Sequence, residues 1–265
     1  MSLSVTIGPR LQMVASFVPN GANLGDIGTD HAYLPIALFE TQRISKAVAI
    51  DVHEGPYQSA LAAVKARHLE TVIDVRFGDG LMPLKKEEVN VLTLAGMGGR
   101  TMLDILAARP DVLESVHDLI LQPQGSESAL RLALLKEGWR LKTERLVEED
   151  GRIYVVMAYS KDDGWNSAEL QRFEHKWSER LHTVFENEGI SAPEFQRLVQ
   201  KLVWHFGPLV LEERTDHLNQ YMSEYWSMLT KRMEQMKKSN NTEIMVKIRE
   251  VSEELALLEG LRRWQ

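Results

Sequence analysis

The sequence predicts an α/β fold with a mostly parallel sheet over residues 1–160, followed by an all-helical coiled-coil domain over 161–265. Three observations carry this expectation. Short apolar runs alternate with helix-like patterns between residues 22 and 160, as they do where strands are joined by right-handed crossovers. Successive strand ends carry a carboxylate interleaved with glycine. Beyond residue 167 only helical periodicity remains, and it ends in two heptad seams.

The strand candidates, in order, are residues 23–27, 46–51, 73–77, 89–94 and 119–122. Between the second and third, "GPYQSALAAVKARHL" reads as a helix with Pro56 suited to its first turn. "SESALRLALLKEGW" follows the fifth strand, with Ser126 or Ser128 as the expected cap and Gly138 as the stop. "WRLKTERLVEEDGRIYVVMAYS" then reads as two strands joined by a Glu-Asp-Gly turn, an antiparallel hairpin closing one edge of the sheet. A polar stretch at 160–167 marks the boundary. After it, helices are expected from Ser167 to Glu188 and from Pro193 to His205, then two long ones separated by "KSNNT". Apolar residues at 218, 222, 225, 229, 233 and 236 face others at 244, 248, 251, 255 and 258, so the pair should fold back as an antiparallel coiled coil.

Bulk composition excludes several chemistries. There is no cysteine, so disulfides, thiolate metal sites and cysteine nucleophiles are all ruled out, and no metal is expected. Net charge is −7, and the parts before and after residue 160 are both acidic, which argues against a protein that coats nucleic acid. The start "MSLSVTIGPRLQ" lacks the basic, then apolar, pattern of a signal peptide, and no run reaches the roughly 18 apolar residues of a membrane span. A cytoplasmic protein, monomeric or weakly dimeric, is the expectation.

Chemistry concentrates at the carboxyl ends of the predicted strands, where open parallel sheets bind ligands. The first ends in Asp26-Ile-Gly28, the second in Asp51, the third runs into Asp79-Gly80, and the fourth into Ala95-Gly96-Met97-Gly98. Gly28 lets a turn pass close to a ligand. Asp51 suits two ribose hydroxyls, because an ionised carboxylate only accepts. Asp79 can accept from an exocyclic amino group beside Gly80. Together these residues specify adenosine. A dinucleotide would want Gly-x-Gly-x-x-Gly feeding a helix. Here the frame is Gly28-Thr29-Asp30-His31-Ala32-Tyr33, and Asp30 would repel a phosphate. S-adenosylmethionine carries a sulfonium and an ammonium instead, and a carboxylate favours both. Taken singly, each residue has a plainer reading: Asp26 as a turn former, His31 as a cap, Tyr33 as core, Met97 as a gap filler. Their coincidence argues against that.

The segments "RLQMVASFVPNGANLGDIGTDHAYLP", "FGDGL", "LAGMGG", "LILQP" and "EEDG" resemble, in order and spacing over about residues 10–160, the bacterial tRNA (adenine-22, N1)-methyltransferases of the TrmK family. The resemblance implies a Rossmann-like class I methyltransferase fold, S-adenosylmethionine as donor, S-adenosylhomocysteine as product, and N1 of adenine 22 in tRNA as acceptor. It places Asp26, Gly28, Asp51, Asp79 and Gly80, with Ala95 and Gly96, on the donor side. Arg10, Asp30, His31, Tyr33, Met97 and Gly98 would border the methyl group and the base, with Gln122 and Pro123 nearby at the fifth strand end. Asp30 is the expected catalytic residue. Glu148, Glu149 and Asp150 would lie at the rim, or form only a solvated turn. Arg131, Lys136, Arg140, Lys142 and Arg145, and separately Lys231, Arg232, Lys237 and Lys238, are candidate RNA-phosphate contacts. The alternatives are a methyltransferase for another RNA adenine or for a small molecule, and a non-catalytic RNA-binding protein on the same fold.

Overall fold

The computed structural model describes residues 5–182, 184, 186, 189–238 and 242–264. It divides into two units, Met1–Asn166 and Ser167–Gln265.

The first unit alternates helix and strand: α1 (Pro9–Phe17), β1 (Ala22–Ile27), α2 (Tyr33–Glu40), β2 (Ile44–Asp51), α3 (Glu54–Lys65), β3 (Ile73–Phe77), β4 (Val91–Met97), α4 (Gly99–Ala107), α5 (Pro110–Leu113), β5 (Asp118–Pro123), α6 (Glu127–Lys136), β6 (Arg140–Glu149) and β7 (Arg152–Ser160). The seven strands form one sheet in the order β3-β2-β1-β4-β5-β7-β6. β1 to β5 pair in parallel, and β7 is antiparallel to both neighbours. The chain therefore steps outward from β1 to β3 and returns to β4 on the other side of β1. That reversal opens a crevice at the carboxyl ends of β1 and β4, the place where such sheets receive ligands.

The central strands read as nearly continuous apolar runs because helices cover both sheet faces. Leu24, Ala49, Ile50, Leu92, Leu94, Ile120 and Leu121 are buried, as are Ile36 of α2 and Ala60 of α3. The hairpin turn is Asp150-Gly151, both with positive φ (53° and 74°), and Glu149 pairs directly with Arg152. Two left-handed residues give a turn whose twist matches that of the strands.

Two local expectations are corrected. β4 does not stop at Leu94. It runs to Met97, with a register shift between Ala95 and Met97 opposite β5, so the "AGM" segment is strand rather than loop. Ser126 occupies the N-cap position of α6, but its hydroxyl caps nothing and Ser128 lies inside the helix. A capping hydroxyl needs an extended N-cap backbone, whereas Ser126 has φ 60°. Glu127 instead accepts a hydrogen bond from the Gly125 N–H at 2.9 Å. Gly138, with φ 89°, ends the helix as expected.

The second unit contains α7 (Ser167–Arg180), α8 (Ala192–Phe206), a 3-10 turn (Val210–Glu212), α9 (Asp216–Met236) and α10 (Thr242–Arg263). The Thr215 hydroxyl caps α9 by accepting from the Leu218 N–H at 3.2 Å. The first tail helix stops at Arg180 with a turn at Leu181, short of the expected Glu188; residues 183, 185, 187 and 188 lie outside the described residues, as do 239–241 of the "KSNNT" break. α9 and α10 pack along the expected seam. Leu218, Met222, Tyr225 and Leu229 are buried, with Val251, Leu255 and Leu258 opposite, while Met233, Met236, Ile244 and Ile248 are only half-buried. Glu254, Leu257 and Leu261 are also buried, off the heptad positions. The reason is a second neighbour: α10 packs on α8 as well, and Glu254 accepts from Lys201 of α8 and from the Tyr225 hydroxyl.

Candidate active site

At the end of β1, Asp26 is 4% exposed and its two oxygens are fully engaged. Oδ1 accepts from the Thr93 hydroxyl and Oδ2 from the Thr29 hydroxyl, each at 2.6 Å. Burial pushes the carboxyl above its ordinary pKa, against the pull of those two bonds. Asp51, at the end of β2, is equally buried. It accepts from the backbone N–H of Asp30 and from that of His53, both at 3.0 Å. Among the described residues neither carboxylate pairs with a lysine or arginine. The nearest titratable partner is the exposed His53 ring, 3.5 Å from Asp51.

Between them runs the turn after β1. Gly28 has φ 74°, and a Cβ there would stand 2.9 Å from the Met97 methyl, so glycine is what lets β4 approach. Asp30 and Ala32 both sit in the left-handed region (φ 54° and 55°), which is strained for residues with a side chain. The strain is held by the Asp51 bond to Asp30 and by Thr29 O, which accepts from the Ala32 N–H at 3.0 Å. The Asp30 carboxylate is left largely exposed, 3.6 Å from His31, and the His31 ring stacks on Tyr33 at 5.0 Å. The turn thus presents Asp30, His31 and Tyr33 outward.

Across the crevice, Gly96 has φ 80° and its N–H donates to Gln122 Oε1 at 3.1 Å. The same oxygen accepts from Arg10 Nη1 at 2.7 Å, and Glu149 grips Arg10 from the other side. These residues enclose a cavity of about 290 Å³. Of the expected site residues, its walls contain Arg10, Asp26, Gly28, Asp30, His31, Tyr33, Ala95 and Gly96; Leu11, Thr29, Leu34 and Gln124 complete them. Asp51, Met97 and Gln122 stand behind the walls and hold wall residues in place. Pro123 pairs with Met97 in the sheet, and Gly98 is the N-cap position of α4. Asp79 and Gly80 lie apart, in the turn after β3. Asp79 is exposed, and Gly80, at φ 50°, leaves only 3.0 Å between an added Cβ and Ile105 of α4. Thr29, Thr93 and Gln124 had no sequence signal, and Glu149 was visible only as part of the acidic rim.

In the basic cluster around β6, Lys136, Lys142 and Arg145 are exposed, but Arg131 is not a surface group. Arg131 is fully buried and its Nε donates to Glu144 at 2.8 Å, because its helix packs directly on β6. Arg140 donates to Gly164 O, and Lys142 pairs with Asp163. Lys231, Arg232, Lys237 and Lys238 of the second unit are exposed. Among the described residues no group of three or more His, Asp or Glu is gathered to hold a metal, and no helix is long and apolar enough to cross a membrane.

Residues 7–157 match a family model described as "Methyltransferase domain". The Bacillus subtilis tRNA (adenine(22)-N(1))-methyltransferase is 38% identical over 216 residues, 74% of this chain and 91% of that protein. The crystal structure of the B. subtilis M1A22 tRNA methyltransferase TrmK aligns with a TM-score of 0.75 at 30% identity, over 97% of this chain and 99% of that one. A Streptococcus pneumoniae protein solved in complex with S-adenosyl-L-methionine aligns at 0.71 and 33% identity, over 94% and 100%. The chain belongs to this family of tRNA (adenine-22, N1)-methyltransferases, and its first unit has the Rossmann-like fold of a class I methyltransferase.

Proposed function

We propose, from that membership, that the chain transfers a methyl group from S-adenosylmethionine to N1 of adenine 22 in tRNA. The observation that carries the reading is the cavity at the β1–β4 crevice, where buried carboxylates paired with no lysine or arginine among the described residues stand in place of a phosphate cradle. Such a site fits a cationic adenosine ligand and disfavours a dinucleotide. When bound, S-adenosylmethionine supplies an electrophilic methyl group. Asp51 would take the ribose hydroxyls, and Asp26, Gly28, Ala95 and Gly96 would line the rest of the donor, with Asp79 and Gly80 at the adenine end. The donor and the chemistry belong to residues 1–160, with 161–265 as the helical coiled-coil domain.

Adenine N1 has its own lone pair, so no side chain need act as nucleophile. N1 is hidden in a base pair, and the base must therefore be turned out toward the cavity. His31 and Tyr33, stacked and partly exposed, offer a surface for it, and Arg10, Met97, Gly98, Gln122 and Pro123 would border the base. Methyl transfer leaves positive charge on the ring. Asp30, whose backbone N–H is held by Asp51, would accept a hydrogen bond from the adenine amino group and stabilise that charge. A tRNA substrate supports a cytoplasmic site of action.

Mass spectrometry of nucleosides from unmodified tRNA incubated with donor tests the reading. The expected product is 1-methyladenosine at position 22; no methylation, or methylation elsewhere, refutes it. Asp30→Ala should lower kcat about 100-fold, and full activity with unchanged donor affinity would remove Asp30 from the role.

A further inference from the structure

We propose that Glu149 is a positioning residue for methyl transfer that acts through Arg10, holding the guanidinium at the cavity wall and cancelling its charge there. The proposal rests on the methyltransferase reading and adds to it a residue of the hairpin.

Both oxygens of Glu149 are spent on one residue 139 positions away. Oε1 accepts from the Arg10 backbone N–H at 3.2 Å, and Oε2 from its Nε at 3.1 Å. The approach is built into the backbone, because a Cβ on Gly8 would stand 2.3 Å from Glu149 Oε1. The absence of a side chain at Gly8 leaves the carboxylate room to sit in this position at the first turn of α1. On its other side Arg10 donates from Nη1 to Gln122 Oε1, which also accepts from Gly96, and the Tyr154 ring lies 5.6 Å from the guanidinium carbon. Arg10 and Gly96 both line the cavity.

A cation locked in that wall is awkward for this chemistry. The donor arrives with a sulfonium and an ammonium, and transfer moves the sulfonium's charge onto the base without removing it from the cavity. An unmatched Arg10 would oppose the donor and the methylated ring alike. Paired with Glu149 it keeps its hydrogen-bonding geometry at no net charge.

S-adenosylmethionine and S-adenosylhomocysteine differ in the sulfonium charge, and calorimetry of both separates electrostatics from structure. Glu149→Gln should weaken S-adenosylmethionine roughly three- to tenfold more than S-adenosylhomocysteine. The double variant Arg10→Gln/Glu149→Gln, which removes both charges, should return the ratio of the two affinities to the wild-type value. Equal weakening of both ligands in Glu149→Gln, the result of a merely structural role, would overturn the proposal. So would an unchanged ratio, or a ratio still shifted in the double variant. A wild-type protein that bound neither ligand would instead refute the methyltransferase reading itself.

Discussion

Carboxylates in two parts of the α/β unit are treated in opposite ways. Along the β3 edge, Arg76 donates to both oxygens of Glu88 at 2.6 and 2.8 Å and to Asp74 at 2.7 Å, and this guanidinium holds Glu88 well below its ordinary pKa, at about 2. Behind the hairpin, fully buried Glu144 faces Arg131. At the ends of β1 and β2, Asp26 and Asp51 are almost as deeply buried, yet they receive only hydroxyl and backbone N–H donors. Neutral donors satisfy hydrogen bonds without neutralising charge, so these two residues lack the cation that cancels Glu88 and Glu144. A matched carboxylate braces the fold; under the proposed function, the unmatched ones at the strand ends serve the ligand.

The most severe break in this contrast should come from the braced set. Glu144→Ala strands the buried Arg131 cation and should cost about 3–5 kcal/mol in urea unfolding, whereas replacing both partners by apolar residues of similar volume should be close to neutral. In the binding set, Asp51→Ala should weaken donor binding about 10- to 100-fold by calorimetry, with tRNA affinity intact. A loss of unfolding free energy as large as that of Glu144→Ala would place Asp51 among the braces instead.

Acid sharpens the comparison further. The Glu88 pKa is depressed from 4.5 to about 2, so its pairing with Arg76 contributes fully above pH 4.5 and is lost as pH falls toward 2. Unfolding free energy should drop by about 2 kcal/mol through that window after allowance for partial exposure. Glu88→Gln should flatten this limb. The smallest effect belongs to the helical unit, where Glu254 is matched by Lys201 and needs the Tyr225 hydroxyl less. Tyr225→Phe should cost about 1 kcal/mol in thermal unfolding.

Much of the fold was legible because it rests on local pattern. β3 occupies the expected residues 73–77, the hairpin turns at Asp150-Gly151, and the tail is helical with its seam on the expected side. Where the pattern failed, a distant neighbour had intervened. β4 continues through Gly96 because β5 keeps pairing with it as far as Met97. Glu254 is buried off the heptad seam because α10 meets α8 as well as α9. Arg131 looked like part of a basic surface and is instead a core cation. The site divided in the same way: Asp26 and Gly96 stand at strand ends and Gly28 and Asp30 in the turn that follows β1, while Thr93, Gln124 and Glu149 complete it from elsewhere.

The sequence alone determined the order of strands and helices, the carboxylates at the first two strand ends and the glycines that open the turns between them. Those are properties of contiguous residues, set by the two periods of strand and helix and by which side chains a left-handed backbone admits. Only the tertiary structure decided which charges are cancelled. The partners that settle this lie 13 residues apart for Arg131 and Glu144, 67 for Thr93 and Asp26, and 139 for Arg10 and Glu149. No local pattern encodes contacts across such separations; they exist once the sheet has brought its strand ends together.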